Sequence, residues 1–271
     1  MTVLVTGASG LVGARLVPRL TGAGLACRLL LRAGRPAPAG TTRVEADLLD
    51  PASLPAAMQG VSAIIHLAAV FRGAEAGLIW ASNLEGTRNL VAAARARAPG
   101  ARFILASTSN IYDADTPHPA READAATPLQ AYPASKLAAE AVLRDSGLAW
   151  SVLRLGFVYG EADGHLQALP GLATRFGLHP ALRMSLVHHR DIATATRLAL
   201  SGAMDGRVVN IADEAPTSLY ELAGLVGQAM PPSAAPLENP WRLQMDVSLA
   251  RRLGFRPVVR TVHQAAEEGL L

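Results

Sequence analysis

Lysine is nearly missing from this chain: of its 25 basic residues only Lys136 is a lysine, and the other 24 are arginines. Cysteine is as scarce. The lone Cys27 excludes an internal disulfide and points to a reducing compartment. Charged residues make up 17% of the chain against 50% apolar, which excludes a disordered polymer and leaves ample material for a core. No apolar run approaches the ~18 residues of a membrane-spanning helix, and Thr2-Val-Leu-Val-Thr6 reads as a strand rather than as part of a charged leader. The net charge is +3 and the isoelectric point near 9.5. The arginines are nevertheless dispersed singly, with Arg251-Arg252 the one adjacent pair, so no basic stripe for nucleic acid forms. These absences predict a soluble, cytoplasmic protein with no membrane and no nucleic-acid partner.

A chain that has given up lysine almost everywhere yet keeps it in Tyr132-Pro-Ala-Ser-Lys136 marks a site where a guanidinium does not serve. Arginine is planar, forked and permanently charged, whereas the lysine ammonium is a compact point charge with three rotatable donors. A tyrosine and a lysine four positions apart share one helix face. The ammonium can then lie beneath the phenol, favour phenolate, and draw a pKa normally near ~10 towards neutrality. The competing explanation is chance on a lysine-poor surface.

Short apolar runs alternate with Ala- and Leu-rich helical stretches, which predicts βαβ units, a parallel sheet and the α/β class. Expected strands are Val3–Thr6, Cys27–Leu31, Arg43–Glu45, Ala63–Leu67, Arg102–Ala106, Trp150–Leu155 and Val208–Ile211. Helices are expected to begin near Leu11, Pro51, Asn83, Tyr132, Asp191, Ser218 and Val247, with Pro18 kinking or shortening the first and Gly147 stopping the one that starts at Tyr132. Segments Asp113–Gln130 and Glu161–Pro180 lack periodicity and read as long loops, which in compact domains tend to be functional.

The first strand runs into Thr6-Gly7-Ala-Ser9-Gly10-Leu11-Val12-Gly13 and then a helix. Small residues let the backbone turn tightly and approach a pyrophosphate, and the helix N-terminus offers free N–H groups and a positive dipole end. An acidic residue about 20 positions on would select NAD by taking the ribose hydroxyls. Here the second strand ends in Leu31-Arg32-Ala-Gly-Arg35 without a carboxylate. Arg32 and Arg35 suit a 2′-phosphate, so NADP is the expected cofactor with NAD the alternative. Asp47 follows the third strand, either as an acceptor for the adenine amino group or as the cap of the helix near Pro51.

Together these motifs resemble the extended short-chain dehydrogenases/reductases, the NAD-dependent epimerase/dehydratase superfamily. The glycine loop, Asp47-Leu48, His66-Leu67-Ala68-Ala69, Asn83-Leu-Glu-Gly-Thr, the Tyr132/Lys136 pair, Leu153-Arg154 leading to Val158-Tyr-Gly160, His188 with Asp191, Val209-Asn-Ile-Ala, and Leu253-Gly-Phe-Arg-Pro257 stand in the family's order. The resemblance implies a Rossmann-type doubly wound sheet over residues 1–158 plus about 191–212. A small C-terminal substrate-binding subdomain would take 159–190 plus 213–271. It further implies that Leu48, Leu67, Ala68, Ala69 and Leu155 line the cofactor, and that Thr108 completes a triad with Tyr132 and Lys136. Hydride passing from the nicotinamide to a carbonyl carbon would then be matched by a proton from Tyr132, with Thr108 holding the oxygen and Lys136 the ribose hydroxyls. A homodimer through the helices near 83–98 and 132–145 is implied in the same way, the alternative for those faces being burial against the sheet.

Two departures bear on substrate. Phe157 stands where sugar-nucleotide members usually carry Asn, and a phenyl ring bonds neither a sugar nor a phosphate. The length leaves roughly 85–90 residues to cover a substrate. Both favour a small non-nucleotide compound, with Phe71, Arg72, Ser109 and Phe157 as pocket candidates. Other residues are expected to be structural: His66 as a satisfied strand-end ring, Asn83 as a backbone bridge, Glu122 as a solvated loop carboxylate rather than an auxiliary acid. His188, His189 and Asp191 lack the spacing of a metal site, and no metal is expected. The expected activity is NADPH-dependent carbonyl reduction, or the reverse alcohol oxidation. A sugar-nucleotide epimerase or dehydratase that retains its NAD is the first alternative, and a non-catalytic NADP-binding sensor the second.

Overall fold

Runs of Val, Leu and Ile too short for helices become strands covered on both faces, as parallel pairing requires. The computed structural model describes residues 1–71 and 73–271, so Arg72 lies outside the described residues. In chain order β1 is Thr2–Thr6, α1 Leu11–Gly22, β2 Ala26–Leu31, β3 Thr42–Glu45, β4 Ala63–His66, α2 Ala76–Trp80, α3 Gly86–Arg97, β5 Arg102–Thr108, α4 Ala131–Arg144 and β6 Ala149–Leu155. The chain continues through β7 Phe157–Tyr159, α5 His165–Arg175, β8 Arg183–Met184, β9 Leu186–His188, α6 His189–Leu200 and β10 Arg207–Ile211. It closes with β11 Thr217–Ser218, α7 Leu219–Leu225, α8 Ser248–Arg252 and α9 Val262–Glu267. The expected strands are all present, most of them extended by a residue or two.

Seven strands form one parallel sheet in the order β10-β6-β5-β4-β1-β2-β3. The order reverses between β1 and β4, and the crevice beyond their C-terminal ends is where doubly wound folds bind ligands. Alternate residues serve opposite layers. Val3, Val5, Leu29, Leu31, Ile65 and Leu153 pack with α1 and α6, while Leu4, Leu30, Ile64, Phe103 and Val152 pack with α3 and α4. A third apolar cluster joins Tyr159, Leu166, Leu169, Leu186, Leu219, Leu222 and Val262 around α5, α7 and α9. Register aligns Thr6 with His66 and Thr108 with Leu155. The glycine turn and the polar strand ends therefore share one edge.

Three expectations need correction. Glu161–Pro180 is not a loop throughout: α5 occupies His165–Arg175 and buries Leu166, Leu169 and Ala173 at helical spacing, with Pro170 and Gly171 inside it hiding the pattern. The helix expected near Pro51 reduces to two 3₁₀ turns, Pro51–Ser53 and Pro55–Met58. The helix expected at Asn83 starts at Ala76 and passes through a π-turn over Ala81–Glu85. α1 holds Pro18 inside it and ends four residues later, at Gly22. The long stretch Asp113–Gln130 is irregular as expected, pinned by an isolated bridge between Ala120 and Met245.

Candidate active site

The phosphate turn is shaped by what a side chain would strike. Gly7 has φ +70°, and a Cβ there would lie 2.5 Å from the Ala68 nitrogen. A Cβ on Gly13 would land on the Gly7 carbonyl oxygen and 2.6 Å from the Ala8 Cα. Gly10 caps α1 in extended conformation with no side-chain hydrogen bond, while Ser9 and Gly10 are exposed and Leu11 and Val12 half-buried. The first-turn amides of α1 thus face the crevice beside Leu67, Ala68 and Ala69. This cradle fits a pyrophosphate.

Beyond it lies a cavity of about 610 Å³ lined by Arg32, Ala33, Arg35, Glu45, Ala46, Asp47, Asp50 and Ser53. Glu45 is paired with Arg43. Asp47 accepts from the Leu49 amide at 2.9 Å, and the 3₁₀ turn is capped by Asp50, not by Asp47. Neither Arg32 nor Arg35 has a side-chain partner among the described residues. Leu48 packs on the start of α3, where a Cβ on Gly86 would meet it at 3.1 Å. Its carbonyl accepts from Asn89 at 2.8 Å.

A buried relay ties the strand ends together. Thr87 donates to the Asn83 carbonyl at 2.6 Å, so His66 Nε2 must donate to Thr87 Oγ1 across 3.0 Å, and Nδ1 must accept from Thr6 Oγ1 at 2.6 Å. His66 is therefore a satisfied ring, as expected. Burial, and after it the Lys136 ammonium, push it down to about 3, so it is neutral. Asn83 sits in the π-turn, a device common at functional sites. Its amide bridges Val70 N–H and C=O and donates to Ser135 Oγ at 3.0 Å, which in turn donates to the Tyr132 carbonyl at 2.8 Å.

The chain has four tyrosines, and the structure separates them. The Tyr112 hydroxyl donates to Asn210 at 2.6 Å and accepts from Arg154 at 2.9 Å, and burial pushes it up to about 12. Burial drives Tyr159 higher still, with Asp213 and Asp191 adding to the rise. Tyr220 is exposed on α7. Tyr132 is half-buried in the first turn of α4, its ring 4.3 Å from that of Phe71 between centroids in a tilted edge contact. Lys136 follows one helical turn on and is only 2% exposed, so it is not a surface lysine. Burial pushes its ammonium down to about 8, with the Glu140 carboxylate opposing. Thr108 ends β5 against α4, nine-tenths buried, its Oγ1 accepting from the Asn110 amide at 3.2 Å. Ser109 begins the half-buried turn beyond it. Leu155 is buried opposite Thr108, whereas Phe157 leans on the third cluster and on the His165 ring at 5.7 Å.

Sequence reasoning missed the polar structure under this site. Glu140, fully buried, accepts from Ser107 Oγ at 2.5 Å, from Arg154 Nε at 3.1 Å and from Arg154 Nη2 at 2.7 Å. Its signal was an acid four residues past the only lysine, on a helix face otherwise apolar. Arg154 also donates to the Glu122 carbonyl at 3.1 Å. The Glu122 carboxylate accepts from the Asn210 amide at 2.9 Å, so it is a half-buried latch for the loop rather than a solvated carboxylate. His188 caps α6, His189 bonds Asp163 at 2.8 Å, and Asp191 accepts from the Val258 and Val259 amides.

The sequence profile of the NAD dependent epimerase/dehydratase family matches residues 3–212, a span that holds Thr108, Tyr132 and Lys136. The chain belongs to the NAD dependent epimerase/dehydratase family. Among its relatives, ceramide reductase of Caulobacter vibrioides is 33% identical over 205 residues, covering 70% of this chain and 58% of that protein. The 2-alkyl-3-oxoalkanoate reductase of Stenotrophomonas maltophilia is 33% identical over 193 residues, covering 65% and 56%. The chain thus spans less than two thirds of the length of either. A short-chain dehydrogenase/reductase superfamily protein of Agrobacterium tumefaciens, crystallised with bound NAD, superimposes with a TM-score of 0.82 at 25% identity over 99% of this chain and 95% of the other. The Rossmann-type fold of this family is accordingly the fold of the chain. No helix among the described residues is long and apolar enough to cross a membrane.

Proposed function

We propose that the protein is an NAD(P)-dependent oxidoreductase that reduces the carbonyl of a small non-nucleotide substrate, or oxidises the corresponding alcohol. One observation carries this reading: the single lysine is buried one helical turn from a half-buried tyrosine, beside the strand end that bears Thr108. The glycine cradle of Gly7, Gly10 and Gly13 and the cavity at Arg32, Arg35 and Asp47 are built to hold a dinucleotide, with Leu67, Ala68, Ala69 and Leu155 between them and the triad. When bound, the nicotinamide supplies a hydride. Tyr132 gives the matching proton to the substrate oxygen, Thr108 orients that oxygen, and the Lys136 charge favours the phenolate left behind. Phe71 against Tyr132 offers the substrate more hydrocarbon than hydrogen bonds, with Ser109 beyond Thr108 as the polar neighbour; Phe157, packed on the third cluster, supports the reading only as a residue that is not an Asn. Two relatives named as reductases support a carbonyl substrate, one of them by naming a 3-oxo group.

Arg32 and Arg35, without protein partners among the described residues, favour NADP over NAD. A division into a dinucleotide domain (1–158 plus about 191–212) and a substrate-covering part (159–190 plus 213–271) is supported by the third apolar cluster, although Val187, Ala250 and Phe255 pack with the sheet. A homodimer is proposed through the helices near 83–98 and 132–145; on α4, Leu137, Ala138 and Ala141 stay half-buried, whereas Leu90, Val91, Ala94, Ala139, Val142 and Leu143 pack on the second cluster.

The test is NADPH and NADH oxidation over a panel of aliphatic and aromatic ketones and aldehydes, with wild type and Tyr132→Phe. Turnover with wild type and a fall of about 10²-fold or more in the variant are expected. Tight binding without turnover on any carbonyl would favour a sensor, and NAD surviving dialysis would favour an epimerase or dehydratase.

A further inference from the structure

We propose that Glu140 is a positioning residue for the reaction: locked by Arg154 and Ser107 one turn beyond Lys136, its carboxylate keeps the Lys136 ammonium charged and aligned beneath Tyr132. The assignment deepens the oxidoreductase reading and rests on it. Tyr132, Lys136 and Glu140 recur every four residues along one face of α4. Glu140 is held from two strands at once, by Ser107 on β5 next to Thr108 and by Arg154 on β6 next to Leu155. One carboxylate therefore fixes the catalytic helix against both strands that form the floor of the site.

Stability alone does not account for such a pair. A buried Glu–Arg pair can often be replaced by apolar residues of similar volume at no loss, because desolvation offsets the attraction. A buried ammonium four residues away supplies the missing reason. Among the described residues, Glu140 is the carboxylate whose charge acts on Lys136. From β4, His66 is neutral. From α4 come Tyr132 and Glu140 themselves. From β6, Arg154 is committed to Glu140, and beyond β5 the Tyr112 phenol stays protonated. On the α2–α3 side, Glu85 and Arg88 pair with each other at the surface. Burial already draws the ammonium down to about 8, and Glu140 is what opposes it. Without that charge the ammonium would lose its proton near neutral pH, and both the phenolate and the ribose hydroxyls would lose a charged partner.

The experiment follows NADPH and NADH binding by nicotinamide fluorescence from pH 5.5 to 9.5 in wild type, Glu140→Gln and Glu140→Asp, with the turnover profile recorded alongside. Wild-type affinity is expected to fall, for both dinucleotides, as pH rises through the Lys136 ionisation. Glu140→Gln is expected to move that midpoint down by about one unit. Glu140→Asp, which keeps the charge, is expected to restore it. A Glu140→Gln midpoint unchanged from wild type would overturn the assignment alone. Wild type binding neither dinucleotide would overturn the oxidoreductase reading and this assignment with it. Should Glu140→Gln fail to fold, the double variant Glu140→Gln/Arg154→Gln is compared with Arg154→Gln alone, so that the two differ only in the Glu140 charge; equal midpoints in that pair would overturn the assignment.

Discussion

Asp213, just past β10, shows how far burial moves a single group. Desolvation lifts its carboxyl to about 8, helped by Asp191 and Glu214 and opposed by the Ala215 amide, and its Oδ2 has no partner among the described residues. The folded-state pKa is raised above the ordinary 3.8. The stabilising contribution of the protonated acid is therefore whole below pH ~4 and is lost as pH rises through about 8. Asp213→Asn, which cannot ionise, should be more stable than wild type at pH 9 by about 1–3 kcal/mol, with the gap closing towards pH 5. Urea unfolding at the two pH values checks this, and a gap that does not vary with pH would refute it. The same burial logic acts oppositely on His66, a base, which it keeps neutral.

At the scale of elements, the turn between β1 and α1 has little tolerance. Gly7→Ala is strained both by its φ of +70° and by the Ala68 backbone, and Gly13→Ala by the Gly7 carbonyl. Each should cost about 1–3 kcal/mol of stability and abolish dinucleotide binding. Gly10→Ala meets only the Gly7 oxygen at 3.2 Å, so it should fold normally. Equal stability loss at all three positions, read by chemical denaturation, would show that the turn is not organised as described. Legibility at this scale followed the local signal. β1, β2, β5 and β6 are strongly apolar and flanked by turn residues, and they stood out. α5 did not, because Pro170 and Gly171 interrupt a helix whose real support is the burial of Leu166, Leu169 and Ala173 against α7 and the third cluster.

At the scale of the molecule, the sheet order sets Arg32, Arg35 and Asp47 beside β2 and β3, and Thr108, Tyr132 and Lys136 on β5 and α4. On the proposed function, cofactor choice and chemistry are thereby separable. Replacing Arg32 and Arg35 together by alanine should weaken NADPH about 10- to 100-fold and leave NADH within about twofold, since a phosphate contact to a charged donor is worth roughly 1.5–3 kcal/mol. Fluorescence titration with both dinucleotides measures it. An equal loss for NADH would mean that the arginines support the fold or the adenine rather than a 2′-phosphate.

What the chain determined by itself was whatever depends on local spacing: the alternation of strands and helices, the glycine turn, and a tyrosine one helical turn from the sole lysine. These are readable because periodicity and steric size act over a few residues. Only the tertiary structure brought Glu140 onto Arg154 and Ser107, turned Glu122 into a latch on Asn210, and oriented His66 between Thr6 and Thr87. Those contacts join residues 14 to 88 positions apart. Their energies depend on burial, which no single stretch of sequence specifies, so the polar support of the site had to be read from the fold.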